Sequence, residues 1–179
     1  MTDKGKKPSW LTVCGLGFGA GSITIEQWGE IEAVIRRLRC QTVLEIGGGF
    51  STTCFRSLGL EVTCYETLQP WIDALKQEVA NVRFVRYDYP CFPEDANRYD
   101  AAFVDGPGNA EDHRLASMCF AADRCDCVFV HDSRRAAQAE LIPQVFPHEE
   151  WLQCVGSGGM SLFVSRKVEL DLFGPVEEE

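Results

Sequence analysis

Three side chains at the ends of short apolar runs have the chemistry to move a proton. Asp105 follows Ala101 to Val104, and His131 with Asp132 follows Cys127 to Val130. Imidazole takes up a proton near neutrality, its unperturbed pKa being about 6.5, so His131 reads as a candidate general base. On neighbouring strands, about 4.8 Å apart, Asp105 and Asp132 can approach each other. Two such carboxylates with water suit a divalent ion such as Mg²⁺. The plainer reading has Asp105 capping the turn at Gly106-Pro107 and His131 satisfied by backbone. A second group has the makings of a nucleotide site. Leu44-Glu45-Ile46-Gly47-Gly48-Gly49-Phe50-Ser51 joins a strand to a helix, and Glu66 closes the next strand nineteen residues after Gly47. Glycine lets a backbone approach a ligand with no Cβ in the way. A strand-end carboxylate can accept both hydroxyl protons of a ribose.

Other groups read less well as sites. Gly15-Leu16-Gly17-Phe18-Gly19-Ala20 fits the G-x-G-x-x-A dinucleotide fingerprint by letter. Its acidic partner belongs about twenty residues on, at the end of the next strand, whereas Glu45 stands thirty residues from Gly15. The segment reads instead as an entry or lid, with Trp10 and Phe18 closing over the site. Cys125-Asp126-Cys127 with His131 suits zinc by residue type. Along one strand, however, residues 127 and 131 lie about 13 Å apart, against metal–ligand bonds of about 2.0–2.3 Å. Cys127 therefore belongs to the core. His113 and Arg114 can meet an anionic substrate, although a solvated helix start accounts for both. His148, before Glu149 and Glu150, marks a surface turn.

The elements that position these residues follow from periodicity and caps. Thr24 and Gln27 form a T-x-x-Q capping box, and Ile25, Trp28, Ile31, Ile35 and Leu38 follow at helical spacing. Arg36, Arg37 and Arg39 close that helix, favourably for its dipole. Strands are predicted at 42–46, 61–65, 82–87, 101–104 and 127–130, with helices at 51–58, from Pro70, at 111–122 and at 133–146, the last interrupted by Pro143. Trp151 to Val155 and Met160 to Val164 flank Gly156-Ser157-Gly158-Gly159, a hairpin signal. Alternation of this kind predicts an α/β fold with a mostly parallel sheet covered on both faces. The stretch from Tyr89 to Tyr99 has no helical pattern. Its eleven residues reach roughly 36 Å when extended, enough to cross three inter-strand steps of about 4.8 Å without a helix.

Glu45 to Ser51 resembles motif I (E/D-x-G-x-G) of class I S-adenosylmethionine-dependent methyltransferases. The resemblance continues with Glu66, Tyr87-Asp88-Tyr89, Tyr99 to Pro107 and Val130-His131-Asp132, and covers roughly Thr24 to Val164. It implies a Rossmann-like three-layer sandwich, a seven-stranded sheet of order 3-2-1-4-5-7-6 and an antiparallel C-terminal hairpin. It further implies that Gly47, Gly48 and Gly49 pass under the methionine part of the cofactor, that Glu45 orders the loop, and that Glu66 holds the ribose. Asp88 would meet the adenine amino group with Tyr89 beside it, and Asp105 would border the cofactor. Ser51 stands where a third glycine is frequent. The arrangement is also similar to small metal-dependent O-methyltransferases, but Ser133 replaces a usual Asn, no third ligand is evident, and a metal is not favoured.

The 179 residues, 45% hydrophobic and 25% charged, suit a single domain with residues 1–23 as entry segment and 167–179 as acidic tail. No run of eighteen apolar residues exists, so no membrane span is expected. A net charge of −10 fits poorly with a phosphate backbone, leaving a small-molecule acceptor, with oxygen favoured in the absence of an N-P-P-Y-like motif. Nine scattered cysteines read as reduced, mostly buried thiols of a cytoplasmic protein. Lys4, Lys6 and Lys7 before an apolar stretch faintly mimic a signal peptide, but Gly15, Gly17 and Gly19 break it and no A-x-A site follows. Alternative functions are an NAD-dependent oxidoreductase using Gly15 to Ala20, a spermidine-synthase-like transferase, and a non-catalytic cofactor-binding relative. Acceptor and oligomeric state are left to loops and surfaces.

Overall fold

A computed structural model describes residues 23–107 and 114–168. The Gly15 to Ala20 loop, Trp10, Phe18, His113 and the acidic tail beyond Val168 lie outside the described residues.

Helix α1 (Ile25–Arg37) opens on the predicted capping box: Gln27 N donates to Thr24 Oγ1 at 3.1 Å, and Thr24 N donates to Gln27 Oε1 at 2.8 Å. Trp28, Ile31 and Ile35 are buried, whereas Ile25 is 64% exposed. At about 100° per residue, Ile25 points nearly 90° away from the direction those three share. Gln27 is buried in addition, its amide bonded to the carbonyls of Ser157 and Gly158. The remaining elements are β1 (Thr42–Ile46), α2 (Phe50–Ser57), β2 (Glu61–Glu66), α3 (Gln69–Glu78), β3 (Val82–Arg86), β4 (Ala101–Val104), α4 (Leu115–Arg124), β5 (Cys127–Val130), α5 (Ala136–Val145), β6 (Trp151–Val155) and β7 (Ser161–Ser165).

The seven strands lie in the order β3-β2-β1-β4-β5-β7-β6, as expected. The first five are parallel, and β7 runs antiparallel to both β5 and β6. Because β1, β4 and β5 are covered on both faces, nearly every residue in them is apolar and buried. On one face Ile31, Phe55 and Leu75 from α1, α2 and α3 join Val43, Phe103 and Phe129. On the other, Met118 of α4 and Ile142 of α5 join Leu44, Ala102 and Val128.

The link from the edge strand β3 to β4 contains no helix, as expected, and side chains fill the place of one. Phe92 stacks between Tyr87 (4.3 Å) and Phe120 (4.1 Å). Asp95 anchors the crossing by accepting from the Tyr65 hydroxyl at 2.5 Å and the Tyr99 hydroxyl at 2.7 Å.

Two expectations need correction. Residues 133–135 form a turn rather than helix, and α5 runs through Pro143, ending at Val145. Pro143 removes the N–H that would bond the carbonyl four residues back and crowds that carbonyl, and the helix ends two residues later. The described cysteines are mostly buried, as expected: Cys40, Cys54, Cys64, Cys125 and Cys127 are buried, whereas Cys91 and Cys119 are exposed. No described helix is long and apolar enough to cross a membrane.

Candidate active site

The carboxyl ends of β1 and β2 form one half of a cleft. Gly47 leaves β1 with φ +89, a left-handed conformation, and its amide donates to Tyr65 O at 2.9 Å. A Cβ on Gly47 would lie 2.5 Å from Gly106 N, so this bend and the one after β4 approach as glycine against glycine. A Cβ on Gly48 would meet Cys64 Sγ at 2.7 Å and Leu75 Cδ1 at 2.9 Å. Gly49 differs: its backbone is extended and an added Cβ would meet no protein atom within 4 Å.

Beneath the loop, Glu45 is fully buried and accepts from Ser51 Oγ at 2.5 Å and Thr52 Oγ1 at 2.6 Å. Burial pushes its carboxyl up to about 7, against those hydroxyl bonds, which favour the ionised form. Ser51 is thus turned into the protein, tying α2 to β1. Glu66 at the end of β2 accepts from Gly48 N at 3.2 Å through Oε2, and from Thr67 N at 2.7 Å and Leu68 N at 3.0 Å through Oε1. Thr67 Oγ1 also donates to Oε1 at 3.2 Å, so Oε1 is fully engaged and a further donor can be accommodated at Oε2, which accepts one bond. Trp71 on α3 donates its indole N–H to Gly48 O at 2.6 Å. Gly47, Gly48, Glu66 and Trp71 line a cleft of about 300 Å³ with Tyr87, Asp105, Gly106 and Pro107.

The carboxyl ends of β4 and β5 form the other half, and here charge does the positioning. His131 is buried, and its Nδ1 lies 2.9 Å from Asp105 Oδ1 and 3.5 Å from Asp132 Oδ2. Since an ionised carboxylate only accepts, Nδ1 carries the proton and Nε2 of the neutral ring keeps its lone pair. Burial alone favours the neutral ring. The hydrogen bond and charge of Asp105, with the charge of Asp132, outweigh it and hold His131 above the ordinary histidine range. Asp132 has φ +55 and pairs with Arg135 at 2.5 Å. Arg114, just before α4, reaches back across this end of the sheet. Its Nη1 donates to His131 O at 2.9 Å, its Nε to Pro107 O at 3.2 Å, and its Nη2 pairs with Asp105 Oδ1 at 3.2 Å.

The fold therefore gathers Gly47, Gly48, Glu66 and Asp105 around one cleft and sets His131 and Asp132 beside Asp105. Asp88 and Tyr89 do not line it. The Asp88 carboxylate is exposed, 3.5 Å from the Arg86 guanidinium, and Tyr89 packs with the aromatic crossing. Tyr87, one residue earlier, takes the wall position. Among the described residues the Asp105 carboxylate is bonded to Arg114 and His131 and not to the Gly106-Pro107 turn. Arg114 is not a solvated helix start: it is 2% exposed. Ser133 faces away from the cluster, bonded to Gly159 O at 2.7 Å and to Ser161 Oγ at 2.8 Å. Sequence reasoning missed Trp71, Tyr87 and the Gly47–Gly106 contact. A glycine directly after Asp105, matching the one directly after Ile46, was the available signal for the last.

Neither known family models nor curated protein sequences match the chain. Solved structures do. An O-methyltransferase from Bacillus cereus in complex with S-adenosylhomocysteine superposes with a TM-score of 0.53 at 15% identity, over 82% of this chain and 84% of that one. The methyltransferase domain of the bacterial protein CtHen1 gives 0.56 at 14% identity, over 78% and 97% of the two chains. A 16S rRNA N2 G1207 methyltransferase from Thermus thermophilus, in complex with S-adenosylmethionine and guanosine, gives 0.60 at 17% identity, over 86% of this chain and 48% of that one. With the strand order and the antiparallel β7, these similarities show that the chain has the Rossmann-like fold of class I methyltransferases.

Proposed function

We propose that the protein is an S-adenosylmethionine-dependent methyltransferase acting on an oxygen of a small-molecule acceptor. One observation carries the reading: a buried carboxylate, Glu66, stands in a glycine-walled cleft that continues directly to Asp105 and its partner His131. The cleft fits the cofactor on the chain's own terms. Glu66 Oε2 has acceptor capacity for a sugar hydroxyl, and the open space at Gly49 has no packing role within the protein. Tyr87 supplies an aromatic wall for a purine, while Glu45 holds the loop rigid from below. Gly47, Gly48 and Gly49, Glu45, Ser51, Glu66 and Asp105 make up the cofactor site, with Tyr87 rather than Asp88 or Tyr89 on its wall.

When bound, the cofactor supplies a methyl group on a sulfonium, an electrophile that asks the protein for alignment and dryness rather than covalent help. The chain supplies the base. His131 Nε2 takes the acceptor hydroxyl proton as the oxygen attacks, and Asp105 and Asp132 stabilise the imidazolium that results. The acidic net charge and the likeness to a Bacillus cereus O-methyltransferase support a small oxygen acceptor. The likeness to an rRNA methyltransferase makes RNA the competing acceptor to test.

The test has two parts. S-adenosylhomocysteine should raise the melting temperature where NADH does not, since a ligand specific for the native state stabilises it. Radiolabelled methyl should then pass to hydroxylated small molecules and not to RNA. Stabilisation by NADH alone, or labelling of RNA alone, would reject the proposal.

A further inference from the structure

The donor atoms of Asp105, His131 and Asp132 lie within 4.8 Å of one another, the kind of set that gathers a divalent cation. Its charge is already balanced. Arg114 pairs with Asp105 and Arg135 with Asp132, so two carboxylates face two guanidiniums. The two arginines are not equivalent. The Arg135 side chain is 51% exposed and can swing into water, whereas that of Arg114 is 3% exposed. Arg114 is also pinned at three points, to the carbonyls of Pro107 and His131 and to the carboxylate of Asp105. Admitting a divalent ion would drive a guanidinium off its carboxylate and leave a buried charge unpaired, one of the costlier changes a protein can undergo. It would also place a double positive charge beside Arg114.

We propose that the Arg114 guanidinium is the resident cation of this cluster: it holds the Asp105–His131 pair in place and keeps divalent ions out. Arg114 is thus a positioning residue. Its planar fork spans the ends of β4 and β5 as a point charge would not. The proposal rests on the functional reading above only for what the pair does in proton transfer. The exclusion of metal stands on charge and geometry, and its test needs no turnover, so the two can fail separately.

The experiment is a Mn²⁺ titration of chelator-stripped protein followed by electron paramagnetic resonance. Wild type is expected to show no stoichiometric site at micromolar Mn²⁺. Arg114→Met should gain one site, at least about tenfold tighter than any in wild type, and Arg114→Met with Asp105→Asn should lose it. Arg114→Lys should still exclude the ion, as a retained cation. Stoichiometric Mn²⁺ binding by wild type that Asp105→Asn abolishes would overturn the proposal, as would a folded Arg114→Met that gains nothing. Should Arg114→Met not fold, the wild-type and Asp105→Asn titrations decide alone.

Discussion

The two halves of the cleft are built from different materials. At the ends of β1 and β2 the backbone does the work: Gly47 turns left-handed against Gly106, and Gly48 is bonded through its N–H to Glu66 and through its carbonyl to Trp71. At the ends of β4 and β5 the shape comes from charge, with His131 between two carboxylates and each carboxylate met by an arginine. A half made of backbone tolerates little change in side-chain volume. A half made of charge tolerates volume and is sensitive to protonation. Substitutions should separate the two.

The largest effect belongs to the charged half. His131→Ala should lower turnover about 10²–10⁴-fold, the usual contribution of a general base, with S-adenosylhomocysteine affinity unchanged in a calorimetric titration. Equal loss of binding and turnover would merge the two halves. Next, Gly47→Ala should destabilise the fold by about 2–4 kcal/mol, through its positive φ and the clash with Gly106. Gly49→Ala should leave the melting temperature nearly unchanged and weaken cofactor binding. If both alanines cost the same stability, the contrast between a packing glycine and a ligand-facing one is wrong.

Glu45 sits under the backbone half and gives it a pH dependence. Burial raises its folded-state pKa from the ordinary 4.5 to about 7, so the folded state prefers the protonated form. The stability this contributes is complete below about pH 4.5 and is lost as pH rises through about 7. Glu45→Gln should flatten the decline of melting temperature across that window, a change on the order of 3 kcal/mol; an unaltered slope would assign the decline elsewhere. The smallest effect is a titration shift. Asp105 holds His131 above the usual histidine value, so Asp105→Asn should move the imidazole titration to lower pH in NMR spectra. Movement upward, or none, would show that Asp132 alone sets it.

The same contrast governs what could be read from the residues alone. The strands and the spacing of Glu66 from the glycine loop were legible because periodicity, glycine and a strand-end acid are local signals, while the strand order came from the family resemblance. Arg114 was not. Its role requires it to reach residues 105, 107 and 131, brought together only by the pairing of β4 with β5. Asp88 illustrates the converse: its position in a motif suggested a cleft residue, whereas β3 ends at Arg86, Tyr87 lies on the cleft wall and Asp88 is exposed beside Arg86. The exposed Ile25 shows how a helical pattern overreaches at the first residue, where the shared direction of the stripe is not yet set.

Calorimetric titration of S-adenosylhomocysteine into wild type and Glu66→Ala tests the central claim most directly. Wild type should bind at one site per chain, and the substitution should cost about 10–100-fold in affinity, the worth of hydrogen bonds to a charged group. An unchanged dissociation constant in Glu66→Ala, or no binding by wild type, would contradict it.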